Sequence, residues 1–122
     1  MKEYQKEFYI IYEPYIDKVY ENPGNFNPSY GVDFYFKFLD LVDIKQCSFG
    51  SEKKAKRKLE KLRKFYLEEK KIKQGYRKSL LVGETNESLH TPDQKEFEEE
   101  ILKIFDRHYV VKKLITKVSI ED

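Results

Sequence analysis

The sequence predicts an α+β domain, in which a mixed or antiparallel sheet of about four strands carries two helices on one face. Short runs rich in aromatic and β-branched residues alternate with two longer segments of helical periodicity. The chain of 122 residues suits one domain, so residues 1–122 are expected to fold as a unit. Aromatic residues make up 16% of it, which is typical of a folded rather than a disordered chain.

The first part of the chain predicts one or two strands followed by a loop. The run EFYIIYE, residues 7–13, is short, apolar and rich in aromatic and β-branched residues, which favours a strand. Pro14 ends this strand, and residues 15–20 form either a second short strand or one helical turn. Residues 21–31 contain two prolines, two glycines and three asparagines, and this composition is typical of a loop.

The run VDFYFKFLDLVDI, residues 32–44, fits two structures. Its apolar residues at every second position have strand periodicity, whereas its polar residues also fall on one face of a helix. The aromatic and β-branched content favours a strand over residues 32–39. Strand and helix both stay open for the segment as a whole.

The clearest helix is predicted for residues 51–74. Ser51 is a suitable N-cap, and Gly75 stands where a left-handed C-terminal cap would lie. An apolar stripe at helical spacing predicts the buried face of this helix. The stripe consists of Ala55, Leu59, Leu62 and Tyr66, widened by Phe65 and Ile72.

The last third of the chain predicts strand, helix and strand. SLLVG, residues 79–83, indicates a short buried strand. Residues 92–108 predict a second helix, with Thr91 as N-cap and Gln94 closing a capping box. Residues 109–120 predict a long C-terminal strand. Because each helix lies between two strands, one or both helices are candidates for crossover connections.

The final strand shows an alternation that predicts its two faces. One set of side chains is expected to face the core and two lysines are expected to face water. The inward set is Val110, Leu114, Val118 and Ile120, and the outward pair is Lys113 and Lys117.

Positive charge is concentrated in residues 51–78. This segment carries thirteen Lys or Arg against four Glu, whereas the whole chain has a net charge of only +2. A row of cations on one side of a helix can follow a phosphate backbone, so we predict sequence-independent binding of DNA or RNA, with tyrosines available to stack on bases. The predicted contacts, opposite the apolar stripe and beyond the helix end, are Lys53, Arg57, Lys61, Lys64, Lys71, Tyr76, Arg77 and Lys78.

Two other interpretations of these features stay open. The basic segment also fits an ordinary solvated helix face, with ion pairs between Glu52 and Lys56 and between Glu60 and Lys64. Alternatively, the protein is an adaptor or inhibitor that binds another protein through the aromatic loop 22–36, with Phe26 and Tyr30 as anchors. No pattern in the sequence indicates an oligomeric state.

Motifs for catalysis are weak, so we expect a non-enzymatic protein without cofactor or metal. Asp43, Ile44 and Lys45 resemble the end of a metal-dependent nuclease site with Asp33 as the earlier acid, but one extended strand would hold the two carboxylates about 30 Å apart. Cys47 and the two histidines, His90 and His108, are too few and too scattered for zinc.

The expected compartment follows from the lack of an intrachain disulfide and of an apolar signal or membrane segment in the sequence. One cysteine permits no intrachain disulfide, which fits a reducing compartment. The start of the chain has no apolar signal core, and no stretch approaches the length of a membrane helix. We therefore expect a cytoplasmic protein that does not bind membranes.

Overall fold

The computed structural model describes residues 2–22, 26–81 and 94–121 and confirms the α+β fold. Four strands form one sheet in the order β3-β2-β1-β4, and each neighbouring pair is antiparallel. The described strands therefore include no parallel pair, and the expectation of a crossover connection was wrong. The strands are β1 (Lys2–Glu13), β2 (Lys18–Tyr20), β3 (Phe36–Phe38) and β4 (Val110–Ile120). The helices are α1 (Ile44–Cys47), α2 (Glu52–Leu81) and α3 (Gln94–His108).

The long ribbon of β1 and β4 is the frame of the sheet. Their register runs from Lys2 opposite Ile120 to Tyr12 opposite Val110. Because side chains alternate along a strand, neighbouring residues of β1 face opposite sides of the sheet. Ile10 and Ile11 accordingly belong to two different core clusters.

The main core lies between the sheet and the two long helices, as the sequence predicted. This helix-side cluster contains side chains from α2, α3, β1, β2, β3 and β4 or their immediate ends. Its buried members are Ile11, Tyr20, Val32, Tyr35, Phe36, Leu62, Tyr66, Phe105 and Tyr109. A smaller cluster covers the other face, where Cys47 of α1 packs with Ile10 and Val19.

The strand predicted over residues 32–39 is mostly not a strand. Val32–Tyr35 and Leu39–Leu41 are short 3-10 helices, and only the residues of β3 between them pair with β2. The apolar side chains of this segment are buried without strand pairing. A 3-10 turn places residues three apart on the same side, so both Val32 and Tyr35 are buried. The carboxylate of Glu69 on α2 accepts a hydrogen bond from the Val32 backbone N–H at 3.3 Å.

The long helix α2 starts where predicted but continues further. The hydroxyl of Ser51 accepts a hydrogen bond from the Lys54 backbone N–H at 3.2 Å, which confirms the N-cap. The helix passes through Gly75 and is described as far as Leu81, so the predicted C-terminal cap was wrong. The strand predicted for 79–83 was also wrong for its first three residues, which are helical; its last two lie outside the described residues. A glycine can stay helical where no tertiary contact requires the chain to reverse.

The last helix and strand fit the prediction with one exception. The described part of α3 begins at Gln94; the proposed N-cap, Thr91, lies outside the described residues. In β4, Val118 and Ile120 are 45% and 53% exposed rather than inward-facing. They lie opposite Tyr4 and Lys2 at the far end of the ribbon, where no described core cluster reaches. No helix in the described part of the chain is long and apolar enough to cross a membrane.

Alanine substitution at two glycines should change the free energy of unfolding in opposite directions. Gly75→Ala should raise the free energy of unfolding by about 0.5–1 kcal/mol, because alanine is the better residue inside a helix. Gly31→Ala should lower it by about 1–2 kcal/mol, since Gly31 has φ of 85° and an added Cβ would lie 3.2 Å from Glu69 Oε1. Urea unfolding followed by circular dichroism measures both. A loss of stability in Gly75→Ala comparable to that in Gly31→Ala would contradict the continuous helix.

The hydroxyl of Tyr20 is buried without a hydrogen-bond partner among the described residues. Tyr20→Phe should therefore stabilise the protein by about 1 kcal/mol at neutral pH. Burial, and then the neighbouring Tyr35, raise the pKa of Tyr20 from 10.0 to about 12. The folded protein holds this proton more tightly than the unfolded chain, so the wild-type stability is full below pH 10 and falls as the pH rises towards about 12.

The same variant tests that pH dependence. Phenylalanine does not titrate, so the stability advantage of Tyr20→Phe should grow by about 1 kcal/mol between pH 8 and pH 11. Unfolding midpoints of both proteins at the two pH values measure it. An advantage that stays constant with pH would show that Tyr20 ionises normally in the folded state.

Candidate nucleic-acid interface

One flank of α2 forms a basic groove with a volume of about 250 Å³. The residues Lys54, Arg57, Lys58 and Lys61 follow helical spacing, so their side chains lie along the same flank. Phe49 closes the groove at the N-terminal end of the helix. We call these five residues the basic groove.

Phe49 is held in place by the sheet. Its backbone N–H donates to the Tyr9 carbonyl at 2.8 Å, and the Tyr9 N–H donates back to the Phe49 carbonyl at 3.0 Å. This pair of bonds extends the sheet by one isolated bridge next to β1. These bonds hold the backbone of Phe49 on β1, and its ring packs against the helix-side cluster.

The cations of the basic groove carry uncompensated charge. In the described part of the chain, none of the four has a carboxylate within ion-pair distance. Elsewhere on α2 the pattern differs: Arg63 bonds Asp106 of α3 through two nitrogens at 2.9 and 3.1 Å. The helix thus has a flank neutralised by α3 and a flank that remains positive.

Lys58 is the most enclosed cation of the basic groove. Its ammonium nitrogen lies 5.5 Å from the centre of the Tyr20 ring and 5.8 Å from that of Phe26. Partial burial, and then the positive charge of Lys61, lower the pKa of Lys58. A bound anion would favour the charged form of this side chain, so the electrostatics of the groove suit a negatively charged ligand.

The structure places the residues predicted to contact nucleic acid in different environments. Arg57 and Lys61 line the basic groove, whereas Lys53 and Lys64 are exposed outside it. Lys71 is bound to α3, with Nζ 2.8 Å from a carboxylate oxygen of Glu98, and this bond raises the pKa of Lys71. The remaining three predicted contacts lie in the last turns of α2, and their side chains are outside the described part of the chain: Tyr76, Arg77 and Lys78.

Sequence reasoning missed Lys54 and Lys58. The prediction chose the face opposite the apolar stripe, whereas the structure places the groove on a flank beside that stripe. The spacing of Lys54, Lys58 and Lys61 was visible in the sequence, but which flank stays open depends on where α3 packs.

The predicted ion pairs along α2 are partly present. Glu52 and Lys56 lie 3.0 Å apart, as expected. Glu60 lies 3.8 Å from Arg63 instead of pairing with Lys64. Some of the positive charge of α2 is therefore compensated locally, whereas the four cations of the basic groove have no ion pair among the described residues.

The aromatic residues proposed as protein-binding anchors have different environments. Phe26 packs on the core, with ring centres 4.6 Å from Tyr35 and 4.7 Å from Phe65. Tyr30 is 62% exposed and stacks on Phe34, which is 54% exposed, at 4.9 Å. Tyr30 and Phe34, rather than Phe26, form the accessible aromatic pair of this loop.

The groups considered for catalysis have other partners. Asp43 caps α1 by accepting the Lys45 N–H at 3.0 Å, while Asp33 accepts the hydroxyl of Tyr109. The thiol of Cys47 is buried, and burial raises its pKa. Among the described residues, no group of three or more His, Cys, Asp or Glu side chains could hold a metal.

Comparisons with protein-family models, with curated proteins and with solved structures found no match for this chain.

Proposed function

We propose that this protein binds DNA or RNA without sequence specificity, through the basic groove. The observation that carries the proposal is the convergence of four cations, none ion-paired within the described part of the chain, beside the aromatic ring of Phe49. Lysine and arginine bind phosphate oxygens and release the counterions condensed on the strand, which gives affinity independent of the base sequence. This role requires neither catalysis nor a cofactor.

The dimensions of the basic groove suit a short stretch of one strand. Lys54 and Lys61 are seven positions apart, so they are separated by about 10 Å along the helix axis. A single strand of a duplex has one phosphate for about every 3.4 Å of axis, so the groove spans about three nucleotides. At its end, Phe49 offers an aromatic surface on which a base can stack.

The number of phosphate contacts sets the expected salt dependence. Four contacts correspond to a slope of log affinity against log salt of about −2.8 for a single strand and about −3.6 for a duplex. Raising the salt concentration from about 50 to 200 mM should then weaken binding by about 50- to 150-fold.

Charge reversal in the groove tests the proposal. Arg57→Glu/Lys61→Glu should abolish binding of a labelled oligonucleotide at low salt, because two phosphate contacts become repulsive. Fluorescence anisotropy with single-stranded DNA, duplex DNA and RNA measures the affinity of both proteins.

The matched control is Lys112→Glu/Lys117→Glu, which changes the net charge equally on the exposed strand β4. It should bind within a few-fold of the wild type. Equal losses in the two double variants would show that only overall charge matters, and no binding by the wild type at low salt would refute the proposal.

A second candidate function is binding of a partner protein through the stacked pair of Tyr30 and Phe34. The exposure of both rings favours it, since exposed aromatic side chains are common anchors at protein interfaces. The ammonium of Lys37 lies 5.4 Å from the Phe34 ring centre and adds a charge beside the pair. In this function, the protein would act as an adaptor or as an inhibitor of its partner.

Alanine substitution of the pair separates the two candidate functions. Tyr30→Ala/Phe34→Ala should leave oligonucleotide affinity unchanged, because neither ring lines the basic groove. The same variant should lose a partner protein captured by the wild type, whereas Arg57→Glu/Lys61→Glu should retain it. Quantitative pull-down with all three proteins measures this, and retention of the partner by Tyr30→Ala/Phe34→Ala would exclude the aromatic pair.

A further inference from the structure

A second cavity, of about 370 Å³, lies where β1, α3 and the segment before β3 meet. It shares no lining residue with the basic groove. Its lining combines aromatic side chains with charged ones. The lining residues are Glu13, Tyr15, Ile16, Lys18, Asp33, Phe36, His108 and Tyr109.

One charged side chain of this cavity, that of Glu13, is buried and already has hydrogen-bond partners. The carboxylate of Glu13, which is 4% exposed, accepts backbone N–H groups of Tyr15 at 3.1 Å and Ile16 at 3.0 Å. Nδ1 of His108 lies 3.4 Å from the same carboxylate, and the imidazole packs on Tyr15 in a tilted arrangement with ring centres 4.8 Å apart. Glu13 therefore holds the wall in place and has little capacity left for a ligand.

Asp33 is the carboxylate that remains available. One of its carboxylate oxygens accepts the Tyr109 hydroxyl, and no other hydrogen bond or ion pair to this carboxylate occurs among the described residues. Burial, and then the negative charge of Glu69, raise the pKa of Asp33. Lys70 and His108 lower the pKa of Asp33 but do not offset these effects.

Lys18 provides the opposite charge. It is half-buried and has no ion pair within the described part of the chain. Its ammonium nitrogen lies 4.7 Å from the centre of the Phe38 ring. Asp33 and Lys18 consequently give the cavity one negative and one positive side chain without an ion pair among the described residues.

We propose that this cavity binds a zwitterion, namely an α-amino acid with an aromatic side chain. The ammonium group of the ligand meets Asp33, its carboxylate meets Lys18, and its ring packs against Phe36 and Tyr15. The volume equals that of about twelve liquid water molecules, which suits a molecule with about a dozen non-hydrogen atoms. A ligand with only one charge would leave Asp33 or Lys18 unpaired. This inference does not depend on nucleic-acid binding.

Four ligands test the proposal on the wild-type chain. The protein is titrated with L-phenylalanine, phenethylamine, 3-phenylpropionate and glycine, and the backbone amides of Tyr15, Ile16, Asp33 and Tyr109 are followed by NMR. L-Phenylalanine should shift these amides saturably and bind at least about tenfold more tightly than each of the other three, since each lacks one charge or the ring. Equal affinity for a single-charge analogue, or no saturable shift with L-phenylalanine up to about 10 mM, would overturn the proposal.

Two variants test the assigned contacts. Asp33→Asn and Lys18→Gln should each weaken L-phenylalanine binding at least about tenfold while thermal unfolding remains cooperative. The matched controls Asp40→Asn and Lys45→Gln change exposed residues outside the cavity and should bind like the wild type. Unchanged affinity in both Asp33→Asn and Lys18→Gln would overturn the proposal even if the wild type binds L-phenylalanine.

Discussion

The packing of Phe105 and Tyr109 joins the two long helices to the sheet. Phe105 is fully buried and lies with its ring centre 5.3 Å from Tyr66 of α2 and 4.8 Å from Tyr109. Tyr109 in turn lies 4.8 Å from Phe36 of β3. Burial of one such ring contributes about 1.5–3 kcal/mol, so this aromatic chain is a main reason that α2, α3 and the sheet keep their relative positions.

The same packing determines the charge pattern of α2. Ala55, Leu62 and Tyr66 are buried against the core, and this sets the rotation of the helix about its axis. Exposed ion pairs contribute at most about 1 kcal/mol each, so the pairs with α3 follow this rotation rather than cause it. One flank then meets the carboxylates of α3, and on the other flank the cations of the basic groove have no ion pair among the described residues.

The aromatic chain also supports the cavity beside Asp33. The ring of Tyr109 packs in the core and its hydroxyl donates to Asp33, so Tyr109 links the buried packing to the carboxylate that we propose as a ligand contact. Glu13 performs a similar task on the opposite wall by binding the turn after β1 and approaching His108. The two proposed sites therefore lie on different parts of the molecule but depend on the same core.

The sequence by itself determined the α+β class, the second half of β1, the long strand β4, the start of α2 and the concentration of cations on α2. These features follow from local periodicity and capping, which act over a few residues. Only the tertiary structure decided that residues 32–35 turn as a 3-10 helix, that α2 passes through Gly75, and that every strand pair is antiparallel. It also decided which lysines stay unpaired, because that depends on contacts with Glu98 and Asp106, which lie about thirty to forty residues further along the chain. No local sequence pattern predicts contacts between residues so far apart in the chain. Such side chains meet only after the apolar faces of the helices and the sheet have packed.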